Sequence, residues 1–276
     1  MLTVRRHPDV RAFLARAETW LLEAEIERAA PLHSARQARI DDSRYQKPQY
    51  WATIENDGEV IGCAYRTPPY RVGVTALPQV AFAPLVLDLE AVYGEHVSGF
   101  SGVDPAASAV ADIWIARHGG TSSIVSRQFL FSLGTAPAPK EPPGALRAAT
   151  QSDSALAKQW GDAAAAESGV SVLDGNFCVR LIGAGQLHLW EDGGPRCLLG
   201  VSHSSAWAAA LAIVYTPPAQ RRKGYARRAV AALSEQLAGR VSKRYFFVDP
   251  RNRAAQALAQ HLGAELVHAS VDIDFR

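Results

Sequence analysis

Residues 214–230 read VYTPPAQRRKGYARRAV and combine charge, a glycine and the start of a helical pattern. Arg221, Arg222 and Lys223 precede Gly224, and the periodic apolar positions begin directly after it. The first N–H groups of a helix lack intrahelical partners and, with the helix dipole, favour an anion. Glycine lets that anion approach the backbone, and arginine binds phosphate oxygens bidentately. The stretch therefore predicts a phosphate-binding site at a helix N-terminus.

The elements around this loop form an alternating strand and helix pattern. AALAIVYT is a continuous apolar run that predicts a buried strand before the loop. After Gly224 the apolar residues share one helix face, and RYFFVD predicts the next strand. NRAAQALAQHLG then predicts a helix that ends at Gly263, since glycine suits the C-terminal cap.

The chain divides near its middle at a proline-rich segment. Four prolines between residues 134 and 144 exclude a helix or a central strand there. We expect an N-terminal domain over 1–136, a linker over 137–144 and a second domain over 145–276. Each half has helices, a hairpin with an Asp-Gly turn, a third strand, a helix and further strands. This repeated order predicts two related α/β units in tandem.

The segment from Arg221 to Ala226 resembles the pyrophosphate loop of the GNAT acyltransferases, Q/R-x-x-G-x-G/A. Asn252-Arg253-Ala254-Ala255 is similar to the start of the family's next helix, and LWEDGGP at 189–195 resembles the hairpin of a two-lobed tandem subgroup. The specific resemblance covers residues 145–276. It implies an α/β fold of two tandem GNAT-like units, each a mixed, mostly antiparallel sheet flanked by helices. The first half lacks the motif, which implies a degenerate unit without a CoA site.

The resemblance implies acetyl-CoA or another acyl-CoA as co-substrate, and a small-molecule primary amine that attacks the thioester directly. The backbone of Val214 to Thr216 would pair with the pantetheine arm, and the basic loop would hold the pyrophosphate. The expected cofactor-binding residues are Val214, Tyr215, Thr216, Arg221, Arg222, Lys223, Gly224, Tyr225, Ala226, Arg227 and Asn252.

The catalytic residues follow less directly from the pattern. Family members commonly have a tyrosine seven residues after the asparagine, which protonates the leaving thiolate, and Ala259 stands at that position. His203 and Asp249 are the candidates for proton transfer. A lone histidine such as His203 is more often structural, and Asp249 in VDPRN equally suits a turn, the role that we favour.

Charge and cysteine content define the alternatives. Ten basic residues lie between Gln220 and Arg253 against two acidic ones, although the net charge is only +2. This basic density leaves open an aminoacyl-tRNA as acyl donor, because tRNA binding needs many phosphate contacts. The missing tyrosine leaves open a non-catalytic CoA-binding protein as well. Three widely separated cysteines favour a cytoplasmic protein with reduced thiols.

The remaining expectations concern partners. The histidines show no metal-ligand spacing, and no apolar stretch reaches the ~20 residues of a membrane helix, so we expect neither a metal nor a membrane partner. Two fused units supply the contacts that single-unit relatives make by dimerising, which leaves a monomer or a homodimer open.

Overall fold

The computed structural model describes residues 1–43, 45–134, 143–168, 173–203 and 208–276. The chain forms two compact units, one of residues Met1–Phe129 with His268–Arg276 and the other of residues Leu130–Val267. Each is a mixed, mostly antiparallel sheet with helices on both faces, as the sequence predicts. Of the expected linker, only Pro143 and Gly144 lie within the described residues.

In the first unit the strands follow the order β1-β2-β3-β4-β5-β12-β6. The parallel pair is β4 with β5, and the other pairs with printed register are antiparallel. Helices α1 and α2 pack on one face around Phe13 and Trp51, and α3 and α4 pack on the other around Leu89 and Trp114. The elements are β1 (Leu2–Arg6), α1 (Val10–Glu23), α2 (Ala29–Ile40), β2 (Tyr50–Asn56), β3 (Glu59–Arg66), β4 (Val72–Val74), α3 (Phe82–Tyr93), β5 (Gly99–Val103), α4 (Ala106–His118) and β6 (Ser122–Ser132).

In the second unit the order is β6-β11-β10-β9-β8-β7, and β10 with β11 is the parallel pair. Helices α5 and α6 cover one face around Leu187 and Leu198, and α7 and α8 cover the other around Leu199 and Val230. The elements are β7 (Ala145–Ala148), α5 (Ser154–Ser168), α6 (Gly175–Gly183), β8 (Leu187–Glu191), β9 (Pro195–His203), β10 (Ala208–Tyr215), α7 (Tyr225–Ala238), β11 (Lys243–Val248), α8 (Arg253–His261) and β12 (Glu265–Phe275).

The final strand differs from the division expected from the sequence. Residues 268–276 belong to the first unit, where β12 pairs antiparallel with β5 from Ser270 to Asp274. The change of unit also falls at Leu130, inside β6, rather than in the proline-rich segment. The physical reason is strand pairing, which joins residues far apart in sequence and leaves no local signal in the chain.

Candidate active site

The site begins where β10 and β11 separate. Their parallel ladder joins residues 208–210 to residues 243–245 and ends there, although β10 continues to Tyr215 and β11 to Val248. The backbone of β10 beyond Ala210 therefore has one edge that β11 does not cover. On its other edge β10 remains paired with β9, through Val214 opposite Leu199 and Tyr215 opposite Leu198. This open edge can accept an extended ligand as an additional strand.

A β-bulge precedes the open edge. Leu211 pairs with Val201, and Ile213 pairs with the adjacent Gly200, so Ala212 is an extra residue in β10. A bulge bends the strand and increases its local twist. It therefore contributes to the departure of β10 from β11 at the position where their ladder ends.

The open strand leads to the N-terminus of α7. Gly224, the N-cap residue, has a left-handed φ of 81°, and Arg222 also has a positive φ of 61°. Gly224 provides no side-chain hydrogen bond to the first turn of α7. Three other helices have such a bond, from Asp9 in α1, Asp174 in α6 and Asn252 in α8. The first N–H groups of α7 are thus left for an anion in place of a protein side chain.

Arg221 is held against the end of β10. Its Nε donates to the Thr216 carbonyl at 2.9 Å, and its Nη2 donates to both carboxylate oxygens of Glu167 at 2.6 and 2.8 Å. The Tyr215 hydroxyl donates to the same carboxylate at 3.3 Å. Glu167, near the end of α5, is a site residue that the sequence did not indicate, because nothing in its neighbourhood resembles a motif.

The other basic residues of the loop face outward. Arg222, Lys223 and Arg227 are exposed, and Lys223 Nζ donates to Gln220 Oε1 at 3.3 Å. Ala226 is half-buried and adds only a methyl group to the first turn of α7. Positive charge therefore surrounds the uncapped helix N-terminus, as the sequence predicts for a phosphate site.

Tyr225 fixes this loop to the β8–β9 hairpin. Its side chain is buried, and its hydroxyl donates to Asp192 Oδ2 at 2.7 Å. This hydrogen bond raises the pKa of Tyr225 above its ordinary value. Asp192 lies in the LWEDGGP segment, which the sequence identified only by resemblance. Tyr225 is thus a packing residue that positions the start of α7.

Two of the predicted site residues have local structural partners. The Asn252 side chain accepts a hydrogen bond from Ala255 N at 2.9 Å and so caps α8. Asp249 accepts from Arg251 Nη2 at 2.6 Å and from Arg251 N at 2.7 Å, as in a turn. The hydrogen bonds from Arg251 hold the pKa of Asp249 below its ordinary value. A carboxylate in this environment is a weak base.

The remaining catalytic positions are defined in part. His203 ends β9, where its backbone pairs with Ala209, and its side chain lies outside the described residues. Ala259 is completely buried in the core between the sheet and helices α7 and α8. The position that carries a phenol in the family is thus a methyl group within a packed core.

The equivalent region of the first unit is closed. All three residues of β4, Val72 to Val74, pair with β5, and the chain then passes through residues 75–81 into α3. Within the described part of that unit, β4 has no extension comparable to residues 211–215 of β10. It also has no basic glycine loop before its helix.

Neither a metal centre nor a membrane span was found in the part of the chain that the structure describes. No group of three or more His, Cys, Asp or Glu side chains there is arranged to hold a metal ion. None of the described helices is long and apolar enough to cross a bilayer.

Comparison with known proteins identifies the second unit. Residues 140–264 match the family model described as "Acetyltransferase (GNAT) family". A search of curated protein sequences returned no match.

Solved structures extend the similarity of fold to the whole chain. An acetyltransferase from the GNAT family of Colwellia psychrerythraea is similar with a TM-score of 0.59 at 14% identity, covering 99% of this chain and 100% of the other. A GCN5-related N-acetyltransferase from Sphaerobacter thermophilus has a TM-score of 0.55 at 14% identity, covering 99% and 95%. A tandem GNAT protein from the clavulanic acid biosynthesis pathway has a TM-score of 0.51 at 13% identity, covering 100% and 98%. Taken with the open strand pair and the basic loop, these matches confirm the expected resemblance, and the chain belongs to the GNAT superfamily.

Proposed function

We propose that this protein is an N-acyltransferase that moves an acyl group, in the first instance acetyl, from an acyl-CoA to a primary amine of a small molecule. The observation that carries the proposal is the continuity of the open edge of β10 with the uncapped N-terminus of α7. An acyl-CoA has a matching shape, because its amide-containing arm can pair with a strand and its pyrophosphate can bind helix N–H groups.

Each part of the site has a task in this proposal. Arg221, Arg222, Lys223 and Arg227 neutralise phosphate oxygens, and the N–H groups after Gly224 bind them directly. The backbone of residues 214–216 orients the arm, and the exposed N–H groups of β10 polarise the thioester carbonyl. The acyl-CoA supplies an activated carbonyl with a thiolate leaving group, so positioning of the amine accounts for much of the catalysis. Asn252 contributes through the geometry of the α8 N-terminus.

Proton transfer rests on fewer groups than in most of the family. Ala259 provides no acid for the leaving thiolate, which as a tolerable leaving group departs without one at a lower rate. We assign removal of the amine proton to His203, and we assign Asp249 to the turn after β11 because of its contacts with Arg251. Substitution of His203 by glutamine tests this assignment through loss of the basic limb of the pH–rate profile.

The contacts of the basic residues favour an acyl-CoA over an aminoacyl-tRNA as donor. Arg221 binds Glu167, Arg251 binds Asp249, and Arg244 is buried with hydrogen bonds to two backbone carbonyls. These three side chains are engaged within the protein, which reduces the surface charge available for phosphates of a nucleic acid. We place the activity in the cytoplasm, because Cys63, Cys178 and Cys197 are free and buried thiols.

The first experiment is calorimetric titration of the purified protein with acetyl-CoA at low and moderate salt. We expect saturable binding at one site per chain, and absence of binding would contradict the proposal. Gly224→Glu places a carboxylate at the phosphate position and should abolish binding while the unfolding midpoint shows a folded protein. Gly224→Asn is the matched control, since asparagine tolerates a left-handed φ and carries no charge. Equal binding by the Glu variant and the parent would refute the loop assignment.

A successful titration justifies a screen of primary amines for turnover. Binding without turnover of any amine would support the non-catalytic alternative.

A further inference from the structure

The first unit contains a pocket on the side of its sheet covered by α2. It has a volume of about 510 Å³ and lies between α2 and the ends of β3, β4 and β5. This volume is in the range of about 300–1,000 Å³ that is typical of small-molecule sites. Three tyrosines, Tyr45, Tyr65 and Tyr70, contribute to its lining together with Arg71 and Ser101.

The floor of the pocket is a row of residues on four adjacent strands. Tyr65 pairs with Gly73, Gly73 with Ser101, and Ser101 with Asp272, so the four positions lie side by side on one face. A Cβ atom at Gly73 would lie 2.3 Å from the Tyr65 ring, so the ring extends across the glycine towards Ser101. The Ser101 hydroxyl donates to Asp272 Oδ1 at 2.6 Å. This row combines an aromatic surface with a carboxylate at its end.

The aromatic rings form a wall that is incompletely covered. Tyr45 and Tyr70 meet edge to face, with centroids 6.4 Å apart, and Trp51 stacks against Tyr65 at 6.0 Å. Tyr70 has 64% of its surface exposed, which is a large area for an aromatic residue beside a pocket. Aromatic faces attract organic cations within about 6 Å of the ring centroid.

The charge near the floor is negative on balance. Arg71 has the only permanent positive charge among the described residues that line the pocket, and it donates to Asp274 Oδ1 at 2.6 Å. Asp272 is a second carboxylate, and the protein partner it has in the pocket lining is the neutral Ser101 hydroxyl. The Asp272 charge also contributes to raising the pKa of Tyr65, after the larger effect of burial. The two carboxylates and one guanidinium leave room for one further cation.

We propose that this pocket binds an organic ammonium ion that carries an aromatic or apolar group. The ammonium group lies towards Asp272 and Ser101, and the apolar group contacts the rings of Tyr45, Tyr65 and Tyr70. Binding involves no covalent step, and it depends neither on acyl transfer nor on the acyl-CoA site of the second unit. A failure of the acyltransferase proposal therefore leaves this inference intact, and the reverse also holds.

The test compares three probes of similar shape and different charge on the complete chain. 2-Phenylethylamine is a cation at neutral pH, 2-phenylethanol is neutral, and phenylacetate is an anion. We expect calorimetry to give saturable binding of the amine with a Kd below about 10 mM, and binding of the other two at least tenfold weaker, about 1.4 kcal/mol. Equal or tighter binding of phenylacetate would show that Arg71 selects an anion, and it would overturn the proposal. No binding of the amine would also overturn it.

Substitutions then locate the binding site. Asp272→Asn should weaken amine binding about tenfold, and Tyr70→Ala should weaken it several-fold, because a charge pair and a cation–π contact are lost. Tyr70→Phe is the matched control and should bind like the parent, since the ring face is retained. Glu95→Gln removes an exposed charge elsewhere in the unit and should have no effect.

Tyr70 is exposed, so its variants keep the test valid if Asp272→Asn lowers stability. Unchanged amine binding by both Asp272→Asn and Tyr70→Ala would place the ligand elsewhere and refute the assignment.

Discussion

The Glu167 carboxylate accepts two hydrogen bonds from Arg221 Nη2, at 2.6 and 2.8 Å. Arg221 is the first residue of the proposed pyrophosphate loop, so in the free protein this guanidinium already has an anionic partner. A phosphate must displace the carboxylate or share the arginine with it. The contact therefore opposes ligand binding even though it orders the loop.

Glu167→Gln should increase the affinity for acetyl-CoA. Both side chains are close to half exposed, and exposed pairs contribute little, so we expect a two- to fivefold decrease in Kd, about 0.4–1 kcal/mol. Calorimetry at low salt is the appropriate measurement. Glu235→Gln, which removes another carboxylate of the same unit, should leave the Kd unchanged. A weaker affinity in Glu167→Gln would show that the carboxylate positions Arg221 for the ligand.

Tyr225→Phe should weaken acetyl-CoA binding a few-fold without changing the pH dependence of turnover. The variant loses the hydrogen bond to Asp192 at 2.7 Å that fixes the start of α7, which stabilises the fold by about 1 kcal/mol. The measurements are the Kd, the unfolding midpoint and the pH–rate profile. Tyr215→Phe, which loses only a 3.3 Å contact with Glu167, should have a smaller effect on stability. A shifted pH profile in Tyr225→Phe would instead identify Tyr225 as an acid.

Asp153→Asn should destabilise the second unit in a pH-dependent manner. Asp153 accepts two hydrogen bonds from Arg147 and one from Thr150 N, and these contacts hold its pKa far below the ordinary range. Ionised Asp153 therefore stabilises the fold above the unfolded-state pKa of about 3.9, and this contribution falls as the pH drops towards the folded-state pKa. At pH 7 we expect a loss of about 1–2 kcal/mol.

Urea unfolding at pH 7 and pH 3 measures this difference. The gap between Asp153→Asn and the parent should narrow at the lower pH. Asp112→Asn, an exposed acid on α4 of the first unit, is the control and should show little effect at either pH. A gap that is constant with pH would exclude an origin in the ionised carboxylate.

Ala259→Tyr should destabilise the protein and should not increase turnover. The variant restores the residue type common in the family, but Ala259 is completely buried, so the larger side chain overpacks the core. Overpacking typically costs about 1–3 kcal/mol. Ala254→Tyr is the control, because Ala254 is exposed on the same helix. Faster turnover in Ala259→Tyr would show that the phenol reaches the cleft after repacking.

The sequence was sufficient for the elements around the loop because their signals are local. The proline pair and Gly224 mark the end of β10 and the start of α7, and Thr150 and Asp153 form the capping box before α5. The alternating and helical periods reflect burial of one face, which the structure confirms in the sheet and helix cores.

The features that the sequence did not reveal depend on distant pairing. The short strand β1 was missed because an edge strand of five residues with two arginines has little apolar pattern. Glu167 reaches Arg221 across 54 residues of sequence, a contact that the folded arrangement of α5 and β10 creates. The divergence of β10 from β11 is likewise set by register, which the residue types alone do not specify.

The position of β12 affects how the chain reaches its folded state. Residues 268–276 complete the sheet of the first unit, yet all described residues of the second unit come before them in the chain. A ribosome therefore finishes the second unit before it supplies the strand that the first unit requires. During synthesis, the edge of β5 that later pairs with β12 waits without its partner, and the two units mature in the reverse of their order in the sequence.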